Sequence, residues 1–306
     1  MFKRFTLAVA ALGICALALP LVVAQEGATA PIGGYVSVNG LEMYYEIHGV
    51  GDPIIVLHGA FMSIPAMGDL IPRLAESRKV FAFELEGHAR TAALDRPLRF
   101  EQMADDIAAA MEQIGLEKAD VFGYSLGGGV ALQIAIRHPE RVNKLIVVSA
   151  TYESTGWHAD LQALFPMMTA EMFAGSPMEA EYQRLSPNPE NFAGLVDRIV
   201  ELETQEFAWP AVDIQGITAP TLIVAGDSDS VTLEHAVELF KLRGGGVNGD
   251  LAGLPQAQLA ILPGTTHTSV LIQIDWLTGM VNDFLDGVVR NPFAQRERSG
   301  AGARRA

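Results

Sequence analysis

The chain has 306 residues, of which 49% are hydrophobic and 19% charged, enough apolar mass for a large buried core and far from the composition of a disordered chain. Its formal net charge is −15, and residues 25 to 289 alone carry 14 basic and 35 acidic groups, a surface that repels phosphate backbones and argues against nucleic acid as a partner. Cys15 is the only cysteine, so a chain cut beyond it holds no thiol, which excludes cysteine nucleophiles, thiolate metal sites and disulfides.

Residues 1–24 read as a signal sequence. Lys3 and Arg4 precede an apolar run from Phe5 to Leu19, Pro20 breaks it, and Val22-Val23-Ala24 offers small residues before a cut. Export to a periplasmic or secreted location is expected. The alternative is an uncleaved segment, which would be the only membrane contact. A lipid anchor at Cys15 is disfavoured by bulky Ile14 and by the apolar run continuing beyond it. Next, Tyr35–Val38 and Leu41–Ile47 flank Asn39-Gly40, the strongest short hairpin signal. Short apolar runs then recur at Ile54–Leu57, Val80–Leu85, Val121–Phe122, Leu145–Val148, Leu222–Ala225 and Leu259–Leu262. Strands that are apolar on both faces belong to parallel sheets covered by helices. Phe100–Gln113 and Leu126–Arg137 supply two of those helices. The expected fold class is α/β: a mostly parallel wound sheet of about eight strands, counting the hairpin, with helices on both faces.

Between Thr151 and Ala211 the strand rhythm stops, and the segment is rich in Met, Phe, Glu and Pro. Residues 151–211 are therefore expected to be an inserted helical lid, with 25–150 and 212–288 forming the core. Met167, Met168, Met172 and Met178 lie in that lid; they suit either ordinary lid packing or an adaptable apolar pocket. A glycine-rich stretch, Gly244–Pro255, reads as a mobile loop, because one copy of a calcium-repeat-like pattern cannot stack. The tail from 289 to 306 reads as a disordered end.

The chemistry centres on Ser125. Gly123-Tyr124-Ser125-Leu126-Gly127 is G-x-S-x-G, standing after an apolar strand and before a helix, where the tight turn lifts the serine hydroxyl above the sheet edge. A serine hydroxyl needs a base, and the base an orienting acid. His267 follows the last expected strand and is chosen as the base. His235 is expected to be a surface or capping residue, and His58 and His88 to brace loops. Of Asp227 and Asp229, which follow the strand Leu222–Ala225, Asp229 is chosen as the acid, and Asp227 is expected to bond nearby amides. The amides of Ala60, in the His58-Gly59 turn, and of Leu126, at a helix start, would form an oxyanion hole. Phe61, Tyr124, Met168 and Met172 are the expected substrate contacts.

From about Gly34 to Leu285 the chain resembles the α/β hydrolase family, with its HG turn (His58-Gly59), elbow (GYSLG), acid turn (GDSD) and late histidine in order. It is most similar to lid-bearing esterases, lactonases and cofactor-free haloperoxidases, which share the Gly87-His88 loop and the run Gly123 to Gly128. The resemblance implies acyl-enzyme hydrolysis of a small or medium apolar ester or lactone, with a small-molecule substrate, no cofactor and no metal. Glu84, Ala89 and Thr266 depart from the usual Asp, Gly and Gly. The separation of 38 positions from Asp229 to His267 exceeds the usual spacing, and the glycine-rich stretch accounts for the excess. A serine at the elbow argues against dehalogenase and epoxide hydrolase chemistry, which uses aspartate there. The same triad would serve a perhydrolase. Carbon-carbon bond hydrolysis, a catalytically inactive binding protein and an interaction protein acting through the lid or tail remain as further alternatives.

Overall fold

Asn39 and Gly40 take φ of +50° and +85°, the left-handed pair that a two-residue hairpin turn requires. They join β1 (Ile32–Val38) to an antiparallel β2 (Leu41–His48). The structure, a computed structural model, describes residues 31–288; the signal segment and the tail expected from the sequence lie outside them. Six further strands follow: β3 (Asp52–Leu57), β4 (Arg78–Phe83), β5 (Ala119–Tyr124), β6 (Val142–Val148), β7 (Thr221–Ser228) and β8 (Ala257–Thr266). They form one eight-stranded sheet in the order β1-β2-β4-β3-β5-β6-β7-β8. β2 meets β4 antiparallel and every later pairing is parallel.

The absence of polar alternation in the inner strands has a direct cause: both faces are covered. Ile55, Leu57, Val121, Leu145 and Val147 face one core with α2 (Phe100–Gln113) and α3 (Leu126–Arg137). Their neighbours Ile54, Val56, Phe122, Ile146 and Val148 face the other, closed by α1 (Leu70–Ala75) and α10 (Ile274–Leu285). Successive residues therefore enter different cores, as the period of a strand demands.

Between β6 and β7 stand the helices α4 (Ala159–Leu164), α5 (Pro177–Leu185) and α6 (Phe192–Thr204), with α7 (Ala211–Gly216) leading back to the sheet. Bridges pairing Glu153 with Ala208 and Trp157 with Val231 fasten the base of this insertion. α5 starts on Ser176, whose hydroxyl accepts from Glu179 N, with Pro177 in the first turn. α6 buries Leu195, Val196, Ile199 and Leu202. Arg198 on the same helix donates to the carbonyls of Leu94 and Arg96 at 2.6 and 2.7 Å, so it clamps the insertion to the core. α8 (Leu233–Leu242) follows β7, and the Gly244–Pro255 stretch contains the helical turn α9 (Gly249–Ala252). No helix among the described residues is long and apolar enough to cross a membrane.

Candidate active site

The turn between β5 and α3 forces Ser125 to φ +52°, ψ −119°, a conformation that costs an L-residue of order 1–3 kcal/mol and persists only where surroundings over-determine it. They do. A Cβ on Gly123 would lie 2.1 Å from the carbonyl oxygen of Gly127, and one on Gly127 would lie 2.5 Å from that of Leu57. Ser125 N donates to Val148 O, and Gly127 N to His58 O, tying the elbow to both neighbouring strands. In the first turn of α3, Gly128 N and Gly129 N return to Ser125 O. The Leu126 amide, at the first helical position, has no carbonyl four residues back within the helix.

Ser125 Oγ lies 3.0 Å from His267 Nε2, and His267 Nδ1 lies 2.8 Å from Asp229 Oδ1. The carboxylate accepts from Nδ1–H, which leaves the Nε2 lone pair for the serine proton. Asp229 is buried, which opposes ionisation, but the hydrogen bond and charge of His267, with bonds from Ser149 and Gly226, outweigh burial and hold its carboxyl below the usual range. Gly226 N and Ser149 Oγ reach Oδ2 at 3.0 and 2.5 Å, and Val231 N reaches Oδ1 at 3.2 Å. Asp227 points elsewhere, accepting from Gly264 N and Thr265 N at 2.9 and 3.1 Å; it staples β7 to the strand end that presents His267. Tyr124 OH donates to His267 O at 2.9 Å and fixes the same loop from the elbow.

Ser149 is a residue that sequence reasoning missed. It follows β6 with φ +51°, and its only sequence signal is its place at the end of the strand beside the acid-bearing one. His235 needs a correction. Thr232 caps α8, while His235 is 4% exposed, stacked 4.4 Å from Tyr152, and accepts from Tyr152 N at 3.1 Å. It packs the lid base against α8, and burial drives its pKa down to about 4. Glu153, His235 and Glu238 bring potential ligand atoms within 4.8 Å of one another. With Nε2 accepting the Tyr152 amide, the neutral ring carries its proton on Nδ1, and neither nitrogen is then free for a metal. His58 is buried, its Nδ1 2.8 Å from Gly59 O and its Nε2 accepting from Leu85 N. Burial first, and then His88, push its pKa down to about 3, so it stays neutral as a brace of the HG turn. Glu84 takes Arg90 N at 2.7 Å and Ile64 N at 3.4 Å, and Ala89 in the loop between them has φ +45°, which explains why glycine suits that position.

Above the serine opens a cavity of about 520 Å³. Ala60, Phe61, Tyr124 and Met168 line it, together with Trp157, Phe165 and Met178. Met172 does not: it is 57% exposed on the lid surface, so the expected substrate contact at that position is absent. Phe61, at φ +61°, packs against Phe173 and Phe192 of the lid with ring centroids 4.9 and 6.5 Å away. Among the described residues no lysine or arginine lines the cavity, whereas Glu181 and Glu203 do. Glu181 is paired with Arg184 at 2.8 Å and accepts from Ser63.

A sequence profile described as the alpha/beta hydrolase fold matches residues 52–181, the stretch that holds the HG turn and the elbow. Over those residues the chain is similar to the α/β hydrolase family, and it has the fold of that family. The chain is 26% identical over 281 residues to 2-hydroxy-6-oxo-2,4-heptadienoate hydrolase of Pseudomonas putida, covering 84% of this chain and 97% of that protein. It is 24% identical over 259 residues to the pimeloyl-(acyl-carrier protein) methyl ester esterase of Neisseria meningitidis, covering 78% of each. Its fold matches the meta-cleavage product hydrolase from Pseudomonas fluorescens IP01 with a TM-score of 0.64, at 23% identity, over 82% of this chain and 96% of that one. Hydrolases of several bond types stand among these relatives.

Proposed function

We propose that this chain is an α/β-hydrolase-fold serine hydrolase of small or medium apolar carboxylic esters or lactones. The observation that carries the reading is the unbroken chain Asp229–His267–Ser125, with steps of 2.8 and 3.0 Å, opening into the apolar cavity. Ser125 Oγ attacks the carbonyl carbon while His267 Nε2 takes its proton, and the Ala60 and Leu126 amides hold the developing oxyanion at the positive end of α3. Collapse of the tetrahedral species breaks the bond to the alcohol oxygen, which takes the proton from His267. Water, activated by the same imidazole, then attacks the acyl-enzyme and releases the acid. A lactone follows the same course with the alcohol still tethered.

Carbon-carbon bond hydrolysis is the second reading, favoured by the match to the heptadienoate hydrolase over most of both chains. A dienoate substrate carries a carboxylate. Among the described residues the wall offers Glu181 and Glu203 and no lysine or arginine, so a charged acid would be desolvated beside like charge. That weighs towards a neutral ester. Export and the division into core and lid belong to the same proposal: a secreted or periplasmic enzyme whose insertion at 151–211 shapes the substrate pocket.

The test is a rate series on aryl esters of rising acyl length beside a heptadienoate ketone, each with wild-type protein and Ser125→Ala. Serine-dependent ester turnover supports the reading. Cleavage of the dienoate faster than every ester would replace it with the second, and ester turnover that survives Ser125→Ala would overturn both.

A further inference from the structure

The insertion begins beside the catalytic acid. After Asp229 the chain runs through Ser230, Val231 and Thr232 before α8 starts, and residues 156–158 of the insertion lie antiparallel to that stretch. His158 N donates to Ser230 O and Thr232 N to Gly156 O, both at 2.9 Å, with Trp157 bridged to Val231 between them. Val231 N in turn donates to Asp229 Oδ1 at 3.2 Å. Residues directly opposite in such a pair put their side chains on one face. Trp157 and Val231 accordingly pack together with Phe165 in a small core of their own, apart from the two that cover the sheet. Trp157 also lines the cavity, and it sets its ring at 71° to the His267 imidazole with centroids 5.7 Å apart. Tyr124 lies against the same imidazole at 5.3 Å. The tryptophan is firmly held. Its carbonyl accepts from Gln162 Nε2 at 2.7 Å, and its ring meets Phe165 edge-on at 6.1 Å. Its neighbour Gly156 lies so near α8 that a Cβ there would come within 2.7 Å of the His235 ring.

We propose that Trp157 is a positioning residue for the catalytic base, so that the insertion holds the triad in place as well as shaping the cavity. The inference rests on the serine-hydrolase reading and adds a residue to its machinery. Two hydrogen bonds fix the nitrogens of His267, one to Asp229 and one to Ser125, but only the first lasts through the reaction. Once Nε2 has taken the serine proton it must deliver that proton to the leaving oxygen, and the bond to Ser125 is given up. The imidazole is then tethered by Asp229 alone. A single hydrogen bond leaves a ring free to tilt, and what opposes the tilt is the backbone of its loop and the rings packed on it. Tyr124 supplies one ring and also bonds the His267 carbonyl. Trp157 supplies the other, from a segment tied through Val231 to the same carboxylate that holds the imidazole. Base and acid therefore keep their register through one stretch of the insertion. A rigid ring limits the motion of its neighbour, whereas a flexible chain of similar bulk follows it. A residue that only walled the cavity would matter for substrates long enough to reach it and leave the shortest esters alone, and there the two roles part.

The experiment sets Trp157→Phe, which keeps a ring, beside Trp157→Met, which fills the space with a flexible chain, and Val231→Ala, which leaves the indole in place and removes the side chain packed on it. Each is read in three ways. The first is kcat and KM for an aryl acetate, and the second is the rate of labelling by a small fluorophosphonate. The third, on the Ser125→Ala background, is the exchange with water of the proton on His267 Nδ1, a magnetic resonance signal identified by its absence from His267→Gln. Trp157→Met should lower kcat for the acetate by about 10- to 100-fold with KM changed by less than about threefold, because a misplacement of about 1 Å costs up to about 10² in rate. Labelling should slow by a similar factor, and the Nδ1 proton should exchange faster. Trp157→Phe should recover most of the loss, and Val231→Ala should fall between the two. Should Trp157→Met fail to fold, Val231→Ala, a smaller change, carries the same test. A wild type that takes the probe and hydrolyses no ester would sink the functional reading, while labelling and exchange would still decide the role of Trp157. The proposal is overturned by wild-type kcat and labelling in Trp157→Met or Val231→Ala, by a loss confined to the KM of longer esters, or by a Trp157→Phe protein as slow as Trp157→Met.

Discussion

The floor and the roof of the cavity are built differently. The floor is sheet-borne: β5, β7 and β8 end in turns whose polar atoms are bonded several times over. The Asp229 carboxylate alone accepts from His267, Ser149, Gly226 and Val231. The roof comes from short helices between β6 and β7. It carries Met167, Met172 and Met178 with substantial exposure. Groups that move a proton must be held within a few tenths of an ångström, and extra hydrogen bonds hold them. A roof of thioethers and rings can instead accept varied chains.

Mutations should separate the two parts, and the largest effect should come from the floor. Ser125→Ala is expected to lower kcat for ester hydrolysis by about 10⁴–10⁶ while leaving the thermal unfolding midpoint within a few degrees, since in the proposed reaction the hydroxyl carries the covalent route and contributes little packing. Residual turnover above a tenth of wild type would remove Ser125 from the reaction. Next in size, Asp229→Asn should cost up to about 10⁴ in kcat by holding the wrong imidazole tautomer. Asp227→Asn should cost far less, since it loosens only the staple to Gly264 and Thr265; the reverse ranking would exchange the roles of the two carboxylates.

The roof should answer to pH instead. Glu203 has its pKa raised by burial from 4.5 to about 7, so the folded state holds a proton that the unfolded chain releases. Stability is then greatest below about pH 4.5 as far as this group is concerned, and falls as pH rises towards 7, by on the order of 1–3 kcal/mol. Urea titrations at pH 5 and pH 8 should show that fall in the wild type and a smaller one in Glu203→Gln; equal falls would mean that the carboxyl ionises freely where it stands. The smallest effect is chain length. Each methylene buried against Met168 and Phe165 should raise kcat/KM about fourfold, at about 0.8 kcal/mol each, until the cavity is full. Met168→Ala should shift the optimum to longer acyl groups, whereas Met172→Ala, on the outer surface, should leave the profile alone. A profile insensitive to Met168 would place the acyl chain elsewhere.

The same contrast explains what could be read from the residues in order. Strands, the hairpin and the elbow are local: Asn39-Gly40 needs left-handed backbone, G-x-S-x-G needs hydrogen where Gly123 and Gly127 meet backbone oxygens, and runs apolar on both faces need cover on both faces. Such requirements are written within a few consecutive residues, so the sequence by itself determined the α/β architecture, the place of the insertion and the turns that present Ser125, Asp229 and His267. It did not determine where lid and helix side chains point. Met168 and Met172 are four apart in chemically similar surroundings, yet one lines the cavity and the other faces solvent. His235 turned inward because Tyr152 offered a ring and an amide 83 residues away in the chain. Ser149 found the acid, and Glu203 came beside Trp157, through packing of segments distant in sequence. Those outcomes were decided only by the tertiary structure, because side-chain direction and the pairing of buried polar atoms depend on which surfaces meet, and no short stretch of residues encodes that meeting.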